Sequence, residues 1–349
     1  MFKFDFTSST VGGDHADNSE NEKKAEADRM IAKMEERAMT SAQSCKLLNV
    51  SASTSDKVKS CVHEHVDLQS SSIDGLHYIL PQHTALSEKN TDLIPGVYEG
   101  GLKVWECSLD LCRFLAHVMD GTMSTESDFR HVTEAVRRAI ENGGSAFELG
   151  CGHGLPACLL LRESVRRHSD SVVVFSDFND FVIRDVTIPN ALLNVCGLYQ
   201  QQGNDSVVDS SSHALLKQSI YAGGDWMGLS YKLSNNEVLL PVPLTENRVV
   251  DERFDVLLAS ETTYTTESCQ DTAYLMLKHL KVDIGVGLVA TKRFYFGVGG
   301  GADAFAQAAD KVSESSQSHG LRLVVRTIQS YDTGNANIRD LLEVRLVKK

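Results

Sequence analysis

A chain of 349 residues, 42% hydrophobic and 23% charged, has the length and composition of a soluble globular protein, as one large α/β domain with a tail or as two smaller domains. Its 47 acidic against 34 basic side chains leave a net charge of −13, which argues against a nucleic-acid binder that works by neutralising phosphates and favours a basic partner. No run reaches the about 18 uninterrupted apolar residues of a membrane span, and Met1-Phe2-Lys3-Phe4-Asp5-Phe6 lacks the apolar core of a secretory signal.

Residues 1 to about 72 hold twelve serines, no tryptophan and few large aliphatics, a composition too poor in apolar surface to offset ordering entropy. Residues 1–75 are therefore expected to be a disordered, Ser-rich and charged tail. Within it Asn21–Met39 is helix-prone with a weak stripe of Met30, Ile31, Met34 and Met39, read as a solvated helix ahead of a docking one. His63 and His65, without further ligands nearby, read as linker histidines. The eight cysteines (45, 61, 107, 112, 151, 158, 196 and 269) form no CxxC pair and no zinc spacing, and read as reduced thiols of an intracellular protein.

From Leu76 the pattern becomes that of a folded domain, 76–349, with an N-terminal extension at 76–143. Val97–Trp105 reads as extended, and Leu109–Val118 and Phe129–Ile140 as helices, the second stopped by Asn142-Gly143-Gly144. Strands at Ser145–Leu149, Val172–Ser176, Gln218–Tyr221, Phe254–Ala259 and Gly285–Ala290 alternate with helices at Leu155–Arg166, Phe181–Val195 (broken at Pro189), Asp271–Leu280 and Ala302–Ser316. Leu321–Thr327 and Leu341–Val347 follow as two strands with no helix between them. The alternation predicts a doubly wound, mostly parallel sheet with an antiparallel edge closed through Ser330–Asn337. Residues 203–215 and 229–252 read as polar or proline-bearing insertions.

The most informative stretch is Phe147-Glu148-Leu149-Gly150-Cys151-Gly152-His153-Gly154-Leu155-Pro156, between a strand and a helix at the carboxyl edge of the sheet, where open α/β folds place ligands. Gly150, Gly152 and Gly154 let backbone approach a ligand closely. Gly152-x-Gly154-x-x-Ala157, with Asp177 ending the next strand, also satisfies the dinucleotide fingerprint. Glu148 directly ahead of the glycines suits a ligand bearing an ammonium group, such as S-adenosylmethionine, better than a pyrophosphate. Asp177 takes both ribose hydroxyls in either case. At the third strand end, in Gly223-Gly224-Asp225-Trp226, Asp225 is placed to accept the adenine amino group and Trp226 to cover the ring. At the fourth, Ser260-Glu261-Thr262-Thr263-Tyr264 offers Glu261 and Tyr264 to the acceptor.

These blocks resemble the protein-histidine methyltransferases that modify a large-subunit ribosomal protein. The resemblance runs in order through Asp92–Cys107, Glu148–Pro156, Ser176-Asp177-Phe178-Asn179, Val186–Asn190, Ser260–Tyr264 and Tyr295–Gly301, covering about residues 92–310. It implies a Rossmann-like, seven-stranded class I fold dependent on S-adenosylmethionine, acting on the tele nitrogen of a histidine. Val104, Trp105, Glu106, Cys107, Ser108, Gly150, Asp177, Phe178, Asn179, Gly224, Asp225, Trp226 and Ser260 would then line the cofactor site. Glu148 stands where the family commonly has Asp, His153 where it has something small, and the insert at 229–252 is long. The implied partner is a basic ribosomal protein met by a monomer, with no nucleic-acid, membrane or metal site, in cytoplasm and nucleus.

An imidazole of reference pKa about 6.5 is largely neutral at pH 7, so attack on a sulfonium methyl needs the correct tautomer more than a strong base. Glu261 is the first candidate to hold the N–H and take the proton, Asn179 the second, with Tyr264 positioning the ring. Gly297–Gly301 is placed to wall the peptide. A lysine methyltransferase, a cofactor-binding assembly factor and an NAD oxidoreductase are the competing readings.

Overall fold

The computed structural model describes residues 14–50, 54, 58, 63–80, 94, 97–123, 127–141, 143–200, 218–240, 249–332, 334 and 337–349, the side chains of 14–18 and 196–200 excepted. The insertion expected at 203–215 lies outside them, as do residues 1–13, 92–93 and 241–248. In chain order the elements are α1 (Asp14–Ser41), β1 (Lys46–Leu48), β2 (His63–Val66), β3 (Leu76–Ile79), α2 (Glu106–Met119), α3 (Arg130–Glu141), β4 (Ser145–Leu149), α4 (Leu155–Arg166) and β5 (Val172–Asp177). Then follow α5 (Ile188–Gln200), β6 (Ser219–Gly223), α6 (Trp226–Ser234), β7 (Val256–Ser260), α7 (Thr266–His279), β8 (Val286–Lys292), α8 (Ala302–Glu314), β9 (Leu321–Tyr331) and β10 (Arg339–Lys348).

The large sheet runs β1-β6-β5-β4-β7-β8-β10-β9. Pairs among β6, β5, β4, β7 and β8 are parallel, and β10 runs antiparallel to both β8 and β9. This is the expected doubly wound sheet of seven strands with a reversed one near its edge, and β1 adds an eighth, antiparallel to β6. The parallel strands β4 to β8 are buried on both faces, which is why they read as continuous apolar runs. Ala146, Val173, Phe175, Val256 and Leu258 face one core with α2, α3, α4 and α5. Phe147, Val172, Val174, Leu257 and Ala259 face the other with α1, α6, α7 and α8.

Five expectations need correction. The tail is not unstructured over its described part: α1 docks on α6 and α8 by Ala27, Ile31, Met34 and Ala38, each at most 5% exposed. Those positions recur at i, i+4, i+7 and i+11, one stripe of a helix, whereas Met39 of the predicted stripe is 58% exposed. His63 and His65 lie in β2, paired with β3, with the His65 ring 4.8 Å from that of His77. Val97–Trp105 is a set of turns, because Gly100 at φ +83° reverses the chain. The helix into α5 is not broken at Pro189: a π segment, Ile183–Thr187, precedes it and the proline falls at the second residue of α5, where its missing N–H is tolerated. Residues 229–234, read as the start of an insertion, belong to α6, with Leu229 and Leu233 buried.

The described cysteines (45, 107, 112, 151, 158 and 269) are free and buried. Among the described residues no helix is long and apolar enough to cross a membrane.

Candidate active site

Strand order reverses beside β4, whose neighbours are β5 and β7, and a cavity of about 340 Å³ opens at the carboxyl ends of these strands. Its floor is the turn after β4. Gly150 adopts φ +57°, and a Cβ there would stand 2.9 Å from Thr262 Cγ2 and 3.0 Å from the Trp226 ring, so only glycine fits. The turn is held by Gly152 N donating to Asp177 Oδ2 (3.0 Å) and by Thr187 Oγ1 donating to the Gly152 carbonyl (2.6 Å). His153 ties it to the segment above: Nε2–H donates to the Leu102 carbonyl (3.1 Å), while Nδ1 accepts from Asn190 Nδ2 (3.2 Å). Burial lowers the His153 pKa to about 4, so the ring stays neutral and this tautomer is kept.

Glu148 is not on the cavity wall. It is fully buried beneath the turn, with Oε2 accepting from Ala157 N (3.0 Å) in the first turn of α4 and Oε1 without a partner among the described residues. Burial, with the charge of Asp177 nearby, pushes its pKa up to about 8. The expected direct grip on an ammonium is thus replaced by an acid that braces the helix N-terminus. Asp177 does line the cavity; its oxygens accept from Asn179 N (2.9 Å) and Gly152 N, and burial raises its pKa to about 6. Each oxygen keeps a lone pair for a further donor. Asp225 and Trp226 line the opposite wall, where Asp225 caps α6 by accepting from Met227 N (3.0 Å). The Trp226 Nε1 is buried without a partner among the described residues.

On the acceptor side Ser260, Glu261 and Tyr264 reach the cavity, as do Val104, Trp105, Ser108, Gly150, Gly152 and Phe178. Glu261 holds φ +55°; the Tyr295 hydroxyl donates to its Oε2, and its Oε1 is buried, with the Cys107 thiol beside the carboxylate. Tyr264 donates to Glu99 Oε2 (2.5 Å). Asn179 does not reach the cavity, because its amide is engaged at both ends: Nδ2 donates to the Val97 carbonyl (2.8 Å) and Oδ1 accepts from Glu99 N (3.1 Å). It anchors the segment that carries Glu99.

Four other expected lining residues also fall outside. Glu106 is exposed and pairs with Arg339 (3.3 Å), and Cys107 is buried beside Glu261, whose charge together with burial holds the thiol well above its usual range. Gly154 packs against Thr187 and Phe175, and Gly224 against the backbone of Ser44 and Cys45. Sequence reasoning missed Arg37, Glu99, His153 and Asp271 on the cavity wall and Tyr295 on Glu261. Arg37 and Asp271 carried no signal, since each lies on a helix remote in sequence from any glycine motif.

No family model matches the chain. It is 31% identical over 256 residues to the histidine protein methyltransferase 1 homolog of Dictyostelium discoideum, covering 73% of this chain and 60% of that protein. It is 32% identical over 240 residues to histidine protein methyltransferase 1 of Schizosaccharomyces pombe, covering 65% and 61%. The chain thus spans about three fifths of the length of these curated relatives. Among solved structures, the O-methyltransferase TomG from Streptomyces achromogenes in complex with SAM overlays at TM-score 0.36 and 12% identity, covering 70% of this chain and 91% of that one. The strand order, rather than this overlay, carries the fold. Over its aligned length the chain is a relative of the histidine protein methyltransferase 1 homologues, the family whose motifs its sequence resembles.

Proposed function

We propose that the chain is an S-adenosylmethionine-dependent protein-histidine N-methyltransferase acting on the tele nitrogen of a histidine in a basic protein of the large ribosomal subunit. The observation that carries the reading is Glu261, a carboxylate on the cavity wall whose Oε2 accepts from the Tyr295 hydroxyl. A carboxylate at that place can accept an imidazole N–H. With Nδ1–H held there, the tele nitrogen presents its lone pair to the cavity.

The residues present fit the cofactor. Gly150 and Gly152 leave a cradle that a Cβ would fill, Asp177 has lone pairs for ribose hydroxyls, and Asp225 and Trp226 would hold the adenine. When bound, S-adenosylmethionine supplies a methyl group on a cationic sulfur. The chain holds the imidazole in line with that methyl, keeps its tautomer fixed, and accepts the proton at Glu261 as the ring becomes cationic. A lysine, of pKa about 10.4, would first need deprotonation, and a single carboxylate is a poor base for that.

A protein-sized acceptor is supported at the rim. In the loop after β8, Tyr295 turns to Glu261 while Phe294 (56% exposed), Phe296 (87%) and Val298 (51%) face outward. The net charge of −13 favours a basic substrate. A ribosomal protein substrate would place the enzyme in cytoplasm and nucleus, which imaging of a tagged chain tests. The decisive experiment is incubation with labelled S-adenosylmethionine and purified ribosomal proteins, followed by acid hydrolysis. Labelled tele-methylhistidine is expected; label only in methyllysine, or none, overturns the reading.

A further inference from the structure

Arg37 projects from α1 into the cavity wall, although nothing in the glycine motifs points to it. Its Nε donates to Asp225 Oδ2 (2.6 Å), its Nη2 to Asp225 Oδ1 (2.8 Å) and its Nη1 to Asp271 Oδ2 (2.6 Å). One guanidinium therefore joins α1 to the cap of α6 and to α7. The bidentate pair fixes the plane of the Asp225 carboxylate, which a point charge would not do. Oδ1 also accepts from Met227 N, so Oδ2, with one partner, keeps a lone pair for a further donor, and Asp225 lines the cavity.

The support behind Arg37 is built rather than incidental. The α1 stripe seats the helix, Gly228 lies so close to Ser41 that a Cβ would stand 2.6 Å from its carbonyl oxygen, and Gly224 packs on Cys45. The segment carrying Asp225 is thus assembled against the end of α1. Asp271 is buried, and burial, with the Asp225 charge adding to it, raises its pKa, so without Arg37 two carboxylates would face each other unbridged.

We propose that Arg37 is a positioning residue for the cofactor: it orients the Asp225 carboxylate so that Oδ2 accepts the adenine 6-amino group, and through it α1 sets the nucleobase selectivity of the site. The inference rests on Asp225 being the adenine acceptor.

The test compares, by calorimetry on the full chain, S-adenosylhomocysteine with S-inosylhomocysteine, in which a carbonyl replaces the amino group. The wild type is expected to prefer the adenine ligand by about tenfold, the worth of one good hydrogen bond. Arg37→Ala combined with Asp271→Asn, which leaves no unpaired carboxylate at 271, is expected to shrink the preference to within about twofold while keeping a cooperative melting transition. Arg37→Lys should fall between, having charge without the fork. A double variant that retains the wild-type preference overturns the proposal. If Asp225→Ala abolishes the preference while the Arg37 variants keep it, the Asp225 reading stands and only the role of Arg37 fails. A wild type with no preference removes both.

Discussion

Glu261 stands in the left-handed region at φ +55°, a conformation that costs a non-glycine residue about 1–2 kcal/mol and is held here by the surrounding packing. That conformation sets the carboxylate on the cavity wall. Glu261→Gln keeps the shape and removes the proton acceptor; kcat is expected to fall by about 100-fold with the cofactor Kd unchanged, measured by single-turnover kinetics and calorimetry. A Gln variant with wild-type kcat removes Glu261 from the chemistry. Gly152, at φ +50° and with the Gly101 carbonyl 3.2 Å from a would-be Cβ, tolerates no side chain without displacing the segment above it. Gly152→Arg is expected to abolish S-adenosylmethionine binding in calorimetry. Glu148 makes a pH prediction. Its folded pKa of about 8 lies above the ordinary 4.5, so between these values the folded state holds a proton that the unfolded chain has released. Wild-type stability should therefore decline relative to Glu148→Gln as pH rises from about 5 to about 8, and the gap should level off above that. Parallel pH profiles in chemical denaturation would show that Glu148 is not buried as a protonated acid. At this scale the cavity-wall positions of Asp177, Glu261, Asp225 and Trp226 were legible because each ends a strand or follows one within three residues, and such positions face the crevice. Glu148 was misread because strand position alone does not say whether a side chain turns up to the ligand or down to the helix. Asn179 was misplaced for a similar reason: its partners, Val97 and Glu99, lie about 80 residues away in sequence.

Among the elements, α1 changed most between sequence and structure. Its charge suggested solvation, yet Ala27, Ile31, Met34 and Ala38 make one narrow apolar line, and narrow lines are diluted when composition is averaged. Polar contacts complete the docking: Asp28 accepts from Ser315 Oγ (2.6 Å) and Ser316 N (2.8 Å) at the end of α8. Ile31→Ala is expected to destabilise the chain by about 2–4 kcal/mol in urea unfolding, whereas Met39→Ala should stay within about 0.5 kcal/mol. Equal and negligible effects would return α1 to the status of a solvated tail. The segment 97–105 shows the opposite case, apolar residues that suggested a strand but whose glycines turn the chain over the cavity.

For the whole molecule, the parallel sheet and its reversed strand place four strand ends around one cavity, and two helical layers exclude water from beneath it. The chain as a whole carries a surplus of 13 negative charges. Methylation of an intact basic protein is expected to weaken as salt rises from about 50 to about 300 mM, while methylation of a short uncharged histidine peptide changes little. Comparing kcat/KM for the two substrates checks this, and a flat response for the protein would remove long-range charge from its recruitment.

The chain order of strands, the glycine turn and the acids at strand ends were determined by the sequence itself, because periodicity and short motifs are local properties that neighbours write together. Which side chains share the cavity was decided only by the tertiary structure. Arg37 meets Asp225 across 188 residues and Tyr295 meets Glu261 across 34, and no local pattern encodes a contact that exists only once two layers have packed on one sheet.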